Sequence, residues 1–131
     1  MSIEPPNKIL IVDDEPDIRN VVQMTLEISG GLDSDVCGSG ASAIAFISKT
    51  PPDLILLDVM MPGMDGPETL KRLKSNAKTA SIPVIFMTAK VQPAEVEAYY
   101  AMGVIGVISK PFNPRGLVAS VIDFWNDFHA K

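Results

Sequence analysis

Cysteine is nearly absent from this chain. One residue, Cys37, among 131 rules out an internal disulfide and leaves no companion for a cysteine-type metal site. The thiol is therefore read as a small apolar residue at a strand end. Histidine is just as scarce: His129 has no second ligand near it in the sequence and is read as a solvated side chain rather than a metal ligand or a phosphohistidine. No apolar run approaches the roughly 20 residues that span a bilayer. The N-terminal MSIEPPNK lacks the basic and apolar regions of a signal peptide. No membrane partner and a cytoplasmic location are the resulting expectations. Positive charge is short as well, with 11 Lys and Arg against 16 Asp and Glu and a net charge of -5. The basic residues are scattered, so direct binding to nucleic acid is not expected.

What remains is an ordinary globular composition, 47% hydrophobic and 21% charged. The length suits one domain over 1–131, with a core from about 7 to 129. Strand-like runs at 8–12, 33–37, 54–58, 83–88 and 104–109 alternate with segments of helical period. That alternation predicts an α/β fold with a five-stranded parallel sheet. The first helix is predicted from Glu15-Pro16 to Gly30-Gly31, with Ile18, Val21, Val22 and Leu26 along one stripe. The second runs from about Ala41 to Ser48, with Ile44 and Ile47 inward, and the third carries Leu70 and Leu73. A fourth, from about Pro93 to Ala101, offers only Val96 as a strong core residue. The fifth begins near Pro114 and spaces Leu117, Val118, Val121, Ile122, Trp125 and Phe128 along a core-facing stripe. Phe124, Trp125 and Phe128 are candidates for a partner surface. The last helix runs to the end, so no room for an effector domain is expected within these residues.

Five polar residues sit where the apolar runs stop: Asp13 and Asp14 after KILIV, Asp58 after LILL, Thr88 after VIFM, and Lys110 after VIGVIS. Ligands of open α/β sheets bind in the crevice just outside the carboxyl ends of the strands, so these side chains are expected to converge. A lone strand-end Asp is often no more than a helix cap. That reading leaves Thr88 and Lys110 unexplained. Three converging carboxylates repel one another unless a cation neutralises them. An all-oxygen donor set suits a hard divalent ion, Mg2+ above all, which keeps its waters and takes up phosphate oxygens. Asp58, alone after its strand, is the candidate nucleophile, with Thr88 and Lys110 placed to bind equatorial phosphoryl oxygens.

The motifs ILIVDDEP at 9–16, LILLDVMMPGMDG at 54–66, VIFMTA at 84–89 and SKPF at 109–112 stand in fixed order. In them the chain resembles the receiver domain of bacterial two-component response regulators over nearly its whole length. The resemblance implies a doubly wound, flavodoxin-like sheet of order 2-1-3-4-5 with five helices on both faces. It implies Asp58 as phosphoacceptor, Asp13 and Asp14 as the acidic pair holding Mg2+, with Mn2+ as a substitute, and the Met60 backbone carbonyl as a further ligand. Thr88 matches the switch hydroxyl and Lys110 the phosphate-binding lysine, followed by Pro111 through a cis peptide bond. In the loop MPGMDG, Gly63 and Gly66 permit tight turns.

One position departs from the family. Three residues before the lysine, where receivers usually carry Tyr or Phe, stands Val107. The signal is therefore expected to travel through displacement of the fourth helix, where Tyr99 and Tyr100 are the available aromatics. Implied partners are a sensor histidine kinase or histidine phosphotransfer protein and a downstream effector protein or domain, with a phosphorylation-dependent homodimer also open. The domain is expected to be a switch that assists its own phosphorylation and dephosphorylation rather than an enzyme. Three rivals stand beside this reading. One is a scaffold of the same fold that is never phosphorylated. A second is a phosphatase of the haloacid dehalogenase type, whose motif needs a second Asp where this chain has Met60. The third is a nucleotide-binding module built on Gly38-Ser39-Gly40-Ala41-Ser42-Ala43.

Overall fold

The computed structural model describes residues 3–130. Met1, Ser2 and Lys131 of the expected 1–131 unit lie outside the described residues. Five strands, β1 (Lys8–Val12), β2 (Asp33–Cys37), β3 (Leu54–Asp58), β4 (Val84–Thr88) and β5 (Gly106–Ser109), form one parallel sheet in the order β2-β1-β3-β4-β5. Five helices alternate with them: α1 (Pro16–Met24), α2 (Gly40–Lys49), α3 (Gly66–Lys74), α4 (Pro93–Ala101) and α5 (Pro114–Ala130). This is the doubly wound fold expected from the sequence.

Strand residues alternate between two cores, as the pleat requires. Leu10, Val12, Ile55, Leu57, Val84 and Phe86 face α2, α3 and α4. Ile9, Ile11, Leu54, Leu56, Ile85 and Met87 face α1 and α5. Burial on both faces explains why these strands read as unbroken apolar runs. The exception is β2, DSDVC, an edge strand whose acidic side chains discourage further strand pairing.

Helix starts follow local chemistry. Pro stands in the first turn of α1, α3 and α4, where its missing N–H costs nothing. Asp65 Oδ1 caps α3 by accepting from Glu68 N at 2.9 Å. Ser39 caps α2, and Ser39 and Ser42 exchange side-chain bonds to each other's main-chain N–H. The glycine-rich run at 38–43 thus has a structural task as the entry to α2, and Gly40 lies hard against Thr69 of α3.

Several sequence expectations need correction. After Met24 the first helix continues as a π-helical turn, Thr25–Ser29, before Gly30. Val22 and Leu26 are fully buried, but Val21 points to solvent with 45% of its surface exposed. A strict 3.6-residue stripe puts both 21 and 22 inward, whereas α1 meets the sheet along a narrower line. In α4 the buried side chain is Tyr99 rather than Val96. Its ring meets Phe86 of β4 edge to face, with centroids 5.4 Å apart. Trp125 is buried and donates its indole N–H to Glu4 O at 2.8 Å, so of the three candidate surface aromatics only Phe128 is exposed. The first strand-like residues of the 83–88 and 104–109 runs lie just outside β4 and β5.

The corrected register of the π-helical segment is testable by paired truncations. Leu26→Ala should cost about 2 to 5 kcal/mol, the usual range for a buried leucine. Ile28→Ala, two residues on and 78% exposed, should stay within about 0.5 kcal/mol of wild type. Urea unfolding midpoints decide the matter, and comparable losses in the two variants would contradict the register.

Candidate functional site

Strand order decides which polar side chains meet. β1 and β3 are neighbours at the sheet centre, so Asp13, Asp14 and Asp58 leave adjacent strand ends. One oxygen from each lies within 4.8 Å of the other two. Asp13 is wholly buried, Asp58 is 2% exposed, and Asp14 is half-buried. Lys110, one residue beyond β5, reaches back across β4. Its Nζ lies 2.8 Å from Asp13 Oδ2 and 3.3 Å from Asp58 Oδ1. Main-chain pairing sets this approach, because Lys110 N donates to Thr88 O at 2.9 Å and Val59 N to Met87 O at 3.0 Å. The Lys110–Pro111 peptide is cis.

Main-chain donors hold the carboxylates as well. Asp13 Oδ1 accepts from Glu15 N at 2.9 Å, and Asp58 Oδ1 accepts from Met60 N at 3.3 Å. The Met60 side chain is turned to solvent. Below Asp58 the loop turns at Gly63, whose φ of 74° suits glycine. Gly66 is needed for closeness, since a β-carbon there would stand 2.6 Å from Asp58 O. Thr88 is buried, and its Oγ1 accepts from Lys90 N at 3.0 Å. Val107 packs partly buried against the cluster that contains Tyr99, while Tyr100 is exposed. Arg19, not singled out from the sequence, donates to Asp13 O at 2.9 Å. The only sequence signal for it is one basic residue in an otherwise apolar and acidic turn that follows the acidic pair.

The electrostatics are unbalanced. Burial, with the Asp13 charge adding to it, pushes the Asp58 carboxyl up to about 6 against the opposing pull of Lys110. Burial also pulls Lys110 down, but the hydrogen bond and charge of Asp13, with Asp58 behind them, carry it above its usual value. Of the three carboxylates, the Lys110 ammonium thus pairs with two, Asp13 and Asp58. Asp14 Oδ1 is buried with no hydrogen-bond partner among the described residues. A buried acceptor left unpaired is costly, and a hard cation among the three carboxylates would satisfy it. The donor set therefore fits a divalent ion bound through oxygen.

A family model described as response regulator receiver domain matches residues 9–122. Response regulator Rre1 of Synechocystis sp. is 37% identical over 116 residues, which are 88% of this chain and 50% of that protein. The phosphate regulon transcriptional regulatory protein PhoB of Pseudomonas aeruginosa is 42% identical over 111 residues, 85% of this chain and 48% of that protein. The chain thus spans about half the length of these relatives. Among solved structures, the chemotaxis protein CheY4 of Vibrio cholerae superposes with a TM-score of 0.83 at 31% identity, covering 90% of this chain and 98% of that one.

Raising Asp58 from 3.8 to about 6 has a measurable consequence for stability. The folded chain holds this proton more tightly than the unfolded chain does, so the contribution is present in acid and lost as pH rises through about 6. In EDTA, Asp58→Asn should be the more stable protein at neutral pH by roughly 2 kcal/mol, with the gap closing near pH 4. Urea titrations across that range test this, and a wild type as stable as the variant at neutral pH would refute it.

Proposed function

The chain belongs to the response regulator receiver domain family, and from that premise we propose that Asp58 takes the phosphoryl group of a phosphohistidine donor. The protein is a signalling switch of the two-component type. The observation that carries the residue assignment is the pairing of one Lys110 ammonium with both Asp13 and Asp58 beside the unpartnered Asp14 Oδ1. A divalent cation belongs to the family's chemistry, and we assign Mg2+, held by Asp13, Asp14, Asp58 and the Met60 carbonyl. Bound there, the ion neutralises the approach of a phosphoryl group to a carboxylate.

Each side chain then has a task. An Asp58 carboxylate oxygen attacks phosphorus, the P–N bond of the donor breaks, and imidazole leaves. With its carboxyl near 6, Asp58 is mostly the nucleophilic anion at neutral pH. Lys110 follows the charge from the carboxylates to the phosphoryl oxygens. The product carries about two negative charges where the carboxylate carried one, and it sets strong acceptors next to Thr88. As the Thr88 hydroxyl turns to donate to them, it releases Lys90 N, at the start of the loop that leads to α4. Val107 has no ring to report this movement, so Tyr99, seated on Phe86, is the reporter and Tyr100 is on the face that changes. Water returns the switch by hydrolysing the acyl phosphate, assisted by the same groups. The partners are a sensor histidine kinase or phosphotransfer protein and an effector, in the cytoplasm. Among the described residues no helix is long and apolar enough to cross a membrane.

Intact-mass analysis after acetyl phosphate and Mg2+ treatment should show one added phosphoryl group on wild type and none on Asp58→Asn. A modified variant, or an unmodified wild type, would sink the assignment. For the output path, a structure with a beryllofluoride phosphoryl mimic should show α4 and the loop after Thr88 displaced. If both stay in place, α4 does not carry the signal.

A further inference from the structure

Arg19 lies outside the ion cluster yet is fastened to its backbone. Its Nη1 donates to the main-chain carbonyl of Asp13 at 2.9 Å. Asp13 N in turn donates to Cys37 O at 3.1 Å. The residue that leaves β1 is therefore gripped by β2 on its N–H side and by α1 on its C=O side. Both of its carboxylate oxygens are committed too, Oδ1 to Glu15 N and Oδ2 to Lys110.

The position next to Cys37 completes the arrangement. A β-carbon at Gly38 would stand 2.8 Å from Arg19 Nη1, so the guanidinium occupies space that only a glycine leaves open. Conformation does not demand this glycine, because its backbone is not among the positive-φ residues. Its absent side chain matters because of what fills the gap.

We propose that Arg19 is a positioning residue for the divalent cation: seated over Gly38, it fixes the Asp13 main chain and so aligns the Asp13 and Asp14 carboxylates. The inference rests on the cation reading above. Two effects of the guanidinium oppose each other. Its charge repels an incoming cation, while its hydrogen bond pre-orders the ligands. The bond goes to a carbonyl oxygen rather than a carboxylate, and the side chain is only half-buried, so water screens the charge. Ordering wins. Groups that orient metal ligands from outside are typically worth about tenfold or more in metal affinity.

The test is calorimetric titration with Mg2+ of wild type, Arg19→Ala, Gly38→Ala and the double variant, alongside their Tm values in EDTA. Arg19→Ala should bind Mg2+ about tenfold more weakly. Gly38→Ala, which keeps the charge but displaces the guanidinium, should weaken binding in the same direction and add nothing once Arg19 is gone. A lowered Tm with Mg2+ affinity unchanged would leave Arg19 a structural tie and overturn the proposal. Tighter binding in Arg19→Ala would overturn it in favour of the charge effect. An undiminished Gly38→Ala effect in the Arg19→Ala background would do so as well. A wild type that fails to bind Mg2+ would bring down the cation reading itself, a result distinct from equal affinities in wild type and variant.

Discussion

The repulsion among Asp13, Asp14 and Asp58 governs the rest of this molecule. Two of the three carboxylates are almost completely removed from water, and one ammonium serves both. Such a cluster is tolerable only where the scaffold dictates its geometry and a second cation has room to enter. The sheet order meets the first condition. Adjacent β1 and β3 bring the acids together, while β5 lies two strands from β3, roughly 10 Å at the usual strand spacing. Only a long, thin side chain can cross that gap, which explains a lysine at 110. The strand it must cross ends in the short hydroxyl of Thr88.

Pleat alternation divides the labour among these groups. Asp58 continues the Leu54 and Leu56 register, toward α1 and α5, and Lys110 that of Ile108. Thr88 continues the register of Val84 and Phe86, which faces α2, α3 and α4. It thus shares a face with Tyr99. Asp13, Asp58 and Lys110 thus share one side of the sheet, and Thr88 continues a register on the other. A hydroxyl suits the crossing point because it can do both in turn: it accepts from Lys90 N here, and in the proposed phosphorylated state it would turn to donate to a phosphoryl oxygen.

Strands and site were legible in the sequence for a common reason. In a parallel sheet covered on both faces a strand is a short apolar run, and the polar residue that ends it marks the functional edge. Neither signal needs knowledge of distant contacts. Helix faces were less legible, because they depend on such contacts. Val21 and Val22 are equally apolar, and only the line along which α1 meets the sheet separates them. The π-helical turn after Met24 leaves no mark in composition. Tyr99 looked like a surface residue in a weakly amphipathic helix; its burial depends on Phe86, thirteen positions earlier on another element. The contact of Arg19 with Asp13 was invisible for the same reason, since its partners are a main-chain carbonyl and the empty space above Gly38.

The weak amphipathicity of α4 acquires a physical meaning from this. Only one of its side chains, Tyr99, is buried, and an edge-to-face aromatic pair adds about 0.5 to 1.5 kcal/mol beyond the area it covers. Hydrogen bonds to a charged group contribute about 1.5 to 3 kcal/mol each. On the proposed function, one or two such bonds from Thr88 and Lys110 to a phosphoryl group would therefore be of the same order as that aromatic contact. An input can shift a conformational equilibrium only by the difference in its interaction with the two states. A helix fixed by many buried side chains would not respond to a difference of that size. On the proposed switch, one fixed by a single buried ring would, and Val107 in place of an aromatic keeps that ring's side of β5 free of a competing one.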